Sequence, residues 1–400
     1  MTATTRLLAA TALICAGSAT FAQDTRIGVL MDITGPIASF IPPLQNAANL
    51  AVKHANDQGG LLGGQAVAVY GDTTGSAQGA VDAAGKLVNV ENVPIIMGAL
   101  MSGTTIAAAE AVSIPAGVVQ LSPTATSPAV TGIEDNDLLF RIVPSDNFQG
   151  EVLAQMVLEE GLGKVAVTFV NNDYGVGIGN TFIEAYQAAG GEVTASVRHE
   201  EKKDSYRSEL ATLAQAGGDA LVVVAYAGDS GAKIVRQSIE GGLFTKFVGT
   251  DGLRDEALIA DIGADALQGS FFSSPTSPAE NPAQATLHEL FNAEYGEGAD
   301  KPFVDQTYDA TFLTLLSVAK AGSTDRAAMA QALRDVATAP GEKVGPGEWG
   351  KAMEILAAGG DIDYDGAGGA YEFDAAGDVS GAIGKFVVEG DAYTQIQIVE

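Results

Sequence analysis

The sequence predicts an α/β protein of two doubly wound Rossmann-like lobes. Three observations predict it. Short apolar runs alternate with helical stretches of roughly 10 to 15 residues from residue 24 onward, which is the pattern of a parallel sheet covered by helices. The alternation restarts after residue 144, and 400 residues with 46% hydrophobic content are enough for two cores.

In the first lobe, strands are predicted over residues 26–31, 65–70, 94–97 and 117–121. Helices are predicted over 44–56, ended by Gly59-Gly60, and over 76–89 and 104–112. In the second lobe, strands are predicted over 164–170, 192–197, 219–225 and 246–249, with helices between them. After residue 272 the pattern turns helical over 283–295, 307–321 and 326–336. It closes with short strands over 371–373, 381–388 and 394–399. No tandem repeat of solenoid length is visible.

Composition narrows the function. A net charge of −29, from 50 acidic against 21 basic residues, argues against nucleic acid or an anionic membrane surface as a partner. Residues 1–22 carry Arg6, an apolar stretch over 7–19 and the ending Thr20-Phe21-Ala22, which reads as a cleaved secretory signal peptide. The expected location is the periplasm of a bacterium, since no later segment offers about 18 consecutive apolar residues. Cys15, the single cysteine, falls inside this leader, so the mature chain is expected to have neither a disulfide nor a thiol nucleophile. A lipid anchor on Cys15 is the competing reading, but such a site wants a small residue before the cysteine and Ile14 stands there.

In open α/β sheets, ligands sit beyond the carboxyl ends of the strands. Two hydroxyl-rich turns stand there in the first lobe, over 100–105 and 122–126; in the second lobe the turns are 171–175, 226–228 and 250–252. A strand end followed by small polar residues leaves free backbone N–H groups and hydroxyls together, which holds a carboxylate without Lys or Arg. That points to a small anion or a zwitterion. Each residue also has a structural reading: Ser102 and Thr126 as helix N-caps, Asp251 as cap of a helix begun at Arg254, Tyr174 as a turn aromatic, and Phe40 and Phe303 as core.

Read together, Gly35-Pro36, the stretch 56–64, Gly98-Ala99-Leu100-Met101-Ser102, Ser122-Pro123-Thr124-Ala125-Thr126-Ser127-Pro128, Asp173-Tyr174-Gly175, Gly249-Thr250-Asp251-Gly252 and Tyr308-Asp309-Ala310 resemble the leucine/isoleucine/valine-binding proteins of bacterial ABC importers. The resemblance implies a type I periplasmic binding protein fold, closing on its ligand about a three-crossing hinge near Ile142, Phe271 and Phe373. The implied N-terminal lobe is 23–142 plus 272–372, and the C-terminal lobe 143–271 plus 373–400. By motif, Ser102 and Thr124 would hold an α-carboxylate, and Thr126 and Asp251 an α-ammonium. Leu100, Met101, Phe40, Tyr174, Tyr226 and Phe303 would line the side-chain pocket and the closing surface.

The implied ligand is a branched-chain or other hydrophobic amino acid, the implied partner an ABC permease in the inner membrane, and the implied state a monomer with no cofactor. Three departures keep an aliphatic amide, urea or an aromatic acid as alternative ligands. Met101 replaces a cysteine that relatives link to the preceding loop, and Asp72-Thr73-Thr74-Gly75 has no cysteine to pair with. Asp251 is one methylene shorter than the usual glutamate, and Tyr226 aligns only across a one-residue gap. A zwitterion needs donors at one end and an anion at the other, and Asp251 is the only acid in the set.

Enzyme readings find no support. Gly228-Asp229-Ser230-Gly231 echoes a protease nucleophile but opens a helix after a parallel strand, and His54, His199 and His288 carry no supporting signature. Gly175-Val176-Gly177-Ile178-Gly179 has the wrong spacing for a dinucleotide fingerprint. Asp361, Asp363, Asp365 and Glu372 do satisfy the spacing of an EF-hand calcium loop. Gly368 at its eighth position and the strand expected over 371–373 oppose it, so no metal is expected.

Overall fold

A computed structural model describes residues 23–400; the leader expected over 1–22, with Cys15, lies outside the described residues. Five parallel strands form the N-terminal sheet in the order Ala66–Asp72, Thr25–Met31, Ile95–Gly98, Val119–Ser122 and Leu139–Arg141. Ile95–Gly98 and Val119–Ser122 are buried throughout, as strands covered by helices on both faces are. The winding reverses between Thr25–Met31 and Ile95–Gly98, so the turn after Gly98 stands at the switch point where such sheets bind ligands.

The C-terminal sheet has seven strands. Phe271–Thr276, Phe247–Gly249, Ala220–Val224, Lys164–Val170 and Glu192–His199 are parallel and repeat the winding of the first sheet, and the hairpin Ala382–Glu389 and Ala392–Val399 adds an antiparallel edge. The second crossing therefore lies beyond Thr276, not at Phe271 as expected, because Phe271–Thr276 pairs on both sides within this sheet. Residues 371–373 are not a strand either. The small ladder of Glu342–Val344, Ile362–Gly366 and Gly369–Ala370 ends at Ala370, and the Tyr371 side chain turns inward to donate to Asp309.

The helix Val304–Ala321 runs through the N-terminal core with fifteen buried residues. Its polar residues are buried along with the apolar ones, and Thr311, Thr314 and Ser317 satisfy their hydroxyls on carbonyls four residues back, at 2.7–2.8 Å. The helix expected over 104–112 is Ser102–Ala108 followed by a π turn, Ala109–Ser113. Among the described residues, no helix is long and apolar enough to cross a membrane.

One buried cation fastens the hinge. Arg141, wholly buried at the first crossing, reaches Asp378 on the third with Nε at 2.7 Å and Nη2 at 2.6 Å. Its Nη1 donates to the carbonyls of Thr126 and Ser127 at 2.8 and 2.9 Å, so one side chain holds two crossings and the 125–127 turn. Breaking such a pair leaves an uncompensated carboxylate and unpaired carbonyls, at about 3–5 kcal/mol. Arg141→Ala should lower unfolding free energy by about that amount in urea titrations; an unchanged midpoint would contradict the staple.

Candidate ligand-binding cleft

The strand ends of the two lobes face each other across a cavity. Leu100, Met101, Ser102, Thr124, Thr126, Phe40 and Phe303 line it from one side, and Tyr174, Tyr226 and Asp251 from the other. Every residue expected at the site is thus on one wall or another. Ile37, Leu44 and Gly252 complete the lining. Gly252 is closely packed: a Cβ would stand 3.0 Å from the Ala225 carbonyl oxygen and from the Tyr226 ring.

The structural readings of the polar residues do not hold. Met101, not Ser102, occupies the N-cap position of Ser102–Ala108, and Ser127, not Thr126, caps Pro128–Thr131. Asp255, not Asp251, caps Glu256–Ile262. Ser102 Oγ accepts the Ser127 N–H at 3.2 Å and keeps its own proton for the cavity. The Thr124 hydroxyl is different, because its proton goes to the Leu100 carbonyl at 2.5 Å and ties the two hydroxyl turns together.

A buried residue not foreseen from the sequence supports this wall. Asp32 accepts the N–H groups of Leu100 and Met101 at 3.0 and 3.1 Å and the Thr73 hydroxyl at 2.5 Å. Burial raises its pKa while these donors pull it down. The same two loops that the family resemblance would join by a disulfide are here joined through one carboxylate.

The opposite pole carries acceptors. Asp251 Oδ1 accepts Tyr174 Oη at 2.9 Å and Gln149 Nε2 at 3.0 Å, which leaves Oδ2 without a hydrogen bond among the described residues. Tyr174 stacks on Tyr226 with centroids 5.1 Å apart and also accepts the Gly252 N–H. Behind Thr126 stands Asp146, wholly buried. Both of its oxygens, the Thr126 hydroxyl and Gln149 Oε1 lack a partner among the described residues. Burial, reinforced by the nearby Asp251 charge, pushes the Asp146 carboxyl well above the usual carboxylate range, against the pull of Arg141. Burial also raises Asp251, opposed by its bonds from Tyr174 and Gln149. Two acids and two unpaired acceptors at one end, a hydroxyl donor at the other and apolar walls between them make a polarised pocket.

The lobes also touch around the rim. Ser127 Oγ donates to the Asp173 carbonyl at 2.8 Å, Ser39 to the Asp255 carboxylate, and Lys301 pairs with Glu256. A Cβ on Gly228 would stand 2.5 Å from the Pro36 carbonyl oxygen, so the seam requires glycine there.

Two other motifs have no access to this cavity. His199 Nε2 does lie 3.0 Å from Ser230 Oγ, but both are buried, Nδ1 meets Thr168 at 2.8 Å rather than a carboxylate, and burial lowers the imidazole pKa to about 4. Asp361 and Asp365 of the EF-hand spacing pair with Lys320 and Lys343, and Glu372 accepts the Ala339 N–H. Asp363 lies with Asp365 on or beside the strand Ile362–Gly366, and no three metal-ligating side chains gather among the described residues.

The profile of the Periplasmic binding protein family matches residues 24–352. The Leu/Ile/Val-binding protein homolog 3 of Brucella melitensis is 30% identical over 316 residues, covering 78% of this chain and 83% of the relative. The leucine-, isoleucine-, valine-, threonine-, and alanine-binding protein of Pseudomonas aeruginosa is 28% identical over 331 residues, covering 82% of this chain and 87% of the relative. In fold, the chain is similar to the substrate-binding protein LivJ of Streptococcus pneumoniae solved with isoleucine, with a TM-score of 0.79 at 24% identity, covering 94% of this chain and 99% of that one. The chain belongs to the periplasmic binding protein family, among the relatives of the Leu/Ile/Val-binding proteins.

Proposed function

We propose that this protein is the extracytoplasmic substrate-binding component of an ABC importer and that it captures a branched-chain amino acid between its lobes. The observation that carries the reading is the polarity of the cleft, with a hydroxyl donor at Ser102, a free acid oxygen at Asp251 and apolar walls between. Ser102 would bind the α-carboxylate. Thr126 and Asp251 would bind the α-ammonium. Phe40, Leu100, Met101 and Phe303 would hold the aliphatic side chain, and Tyr174 and Tyr226 would close over it. Thr124 would shape the carboxylate end rather than donate to it.

Relatives named for leucine, isoleucine and valine support the ligand class. The leader expected over 1–22 supports export to the periplasm, where a monomer would pass its cargo to a membrane permease. The cleft offers binding groups and no nucleophile beside a base, which supports capture rather than turnover.

Calorimetric titration with leucine, isoleucine, valine, phenylalanine, acetamide, urea and benzoate tests the class. An aliphatic amino acid should bind most tightly, and benzoate or an amide in that place would overturn it. Asp251→Ala should weaken amino-acid binding by about 2–5 kcal/mol, since it removes one partner of a buried charge pair. An unchanged dissociation constant would refute the assignment.

Closure has its own test. Gly228→Ala should leave the melting temperature intact and weaken binding roughly tenfold or more by blocking the seam at Pro36; wild-type affinity would contradict it.

The pH dependence follows from the raised carboxyls. Protonation of Asp251 competes with the ligand ammonium, and its folded pKa lies above the ordinary aspartate value. Affinity should therefore fall on acidification, starting above the usual carboxylate range. Titrations at several pH values between neutral and mildly acidic would check this, and a flat profile would count against it.

A further inference from the structure

Beside the cleft, and sharing Phe40 with it, lies a second cavity. Ser39, Pro43 and Lys301 line it from one lobe, and Arg254 and Tyr393 from the other. Arg254 is only 6% exposed, and its guanidinium stands 4.0 Å from the centre of the Phe386 ring. The guanidinium neither donates a hydrogen bond nor joins a salt bridge among the described residues, and its Nε is sealed from solvent without an acceptor.

The other charged groups on this wall already have partners. Lys301 pairs with Glu256 and lies 3.8 Å from Asp300, while the Asp255 carboxylate accepts Ser39 and, at 2.8 Å, the Ala257 N–H. Burial lowers the Arg254 pKa to about 10, which leaves it cationic at neutral pH. A buried cation with no acceptor is costly, and a flat guanidinium fork held against an aromatic face is the geometry that takes a carboxylate by two parallel bonds.

We propose that this second cavity is a carboxylate-binding subsite in which Arg254 is the anion-binding group. The carboxylate has two sources: a free small carboxylate, or the far end of a longer amino acid whose α-carbon end lies in the first cavity. The second source is geometrically direct, because Phe40 is a wall of both cavities and Arg254 follows Gly252 by two residues. An occupant would touch both lobes, so binding there and closure on the first ligand would strengthen each other. The free-carboxylate arm does not rest on the proposed amino-acid function.

The test is calorimetry on the full protein at constant ionic strength in chloride, with acetate, leucine and 2-aminoadipate as probes, comparing wild type with Arg254→Gln and Arg254→Lys. If the source is a free carboxylate, acetate binds wild type one to one and Arg254→Gln weakens it at least about tenfold. If the source is a ligand tail, acetate is silent, 2-aminoadipate binds, and Arg254→Gln weakens it at least about tenfold more than it weakens leucine. Thermal melts separate lost binding from lost folding. Should Arg254→Gln not fold, Arg254→Lys keeps the charge and the stem and should still weaken the responding probe several-fold. Wild-type affinity for acetate and 2-aminoadipate in the folded variants, or no binding of either probe to wild type, overturns the proposal.

Discussion

The cleft depends on a carboxylate held at the seam between two lobes. Asp251 is buried, and among the described residues only one of its oxygens has hydrogen-bond partners, Gln149 and Tyr174. A half-satisfied buried acid is costly, and Asp146 behind Thr126, its carboxyl pushed well above the usual range by burial and by Asp251, brings it no hydrogen bond. What suits this corner is a cation small enough to enter with the lobes nearly shut. A ligand that supplies one favours the closed arrangement over the open one, because only the closed arrangement surrounds it.

The remaining framework keeps the donor pole in register with that acid. Asp32 joins the Leu100–Met101 turn to Thr73, and Arg141 joins the Thr126–Ser127 turn to the hinge at Asp378. Both ties are hydrogen bonds with one charged partner, from backbone N–H groups and a hydroxyl to the Asp32 carboxylate and from the Arg141 guanidinium to carbonyls and the Asp378 carboxylate, and such charge-assisted bonds are strong. A cysteine is not needed for a firm wall when a buried acid bridges the same loops. Arg141 thus ties the hinge to the turn that lines the cleft.

Much of this was legible in the sequence because strand ends announce themselves. An apolar run followed by hydroxyls and glycine marks both the sheet and its binding edge, which places Ser102, Thr124, Thr126, Tyr174, Tyr226 and Asp251, whereas Phe40 and Phe303 came only from the family resemblance. Asp32, Arg141, Asp146 and Gln149 were not legible as site supports, since a buried, partnered polar residue has the same letter as a solvated one. The second crossing was misplaced because Phe271–Thr276 continues a sheet through Ser273, Ser274 and Pro275, where the sequence loses its apolar signature. Asp361, Asp363 and Asp365 alternate along the chain at and beside the strand Ile362–Gly366, where Asp361 and Asp365 pair with Lys320 and Lys343. The helix Trp349–Ala357 was hidden behind Gly345-Pro346-Gly347, which reads as loop.

The most direct test of the two-pole account is to remove one pole of the ligand. Calorimetric titration should compare leucine with 4-methylpentanoate, which keeps the carboxylate and side chain but lacks the ammonium. With Asp251 left unpaired, 4-methylpentanoate should bind at least about a thousandfold more weakly than leucine. Binding within tenfold of leucine would contradict the claim that a buried acid at the seam selects the ligand.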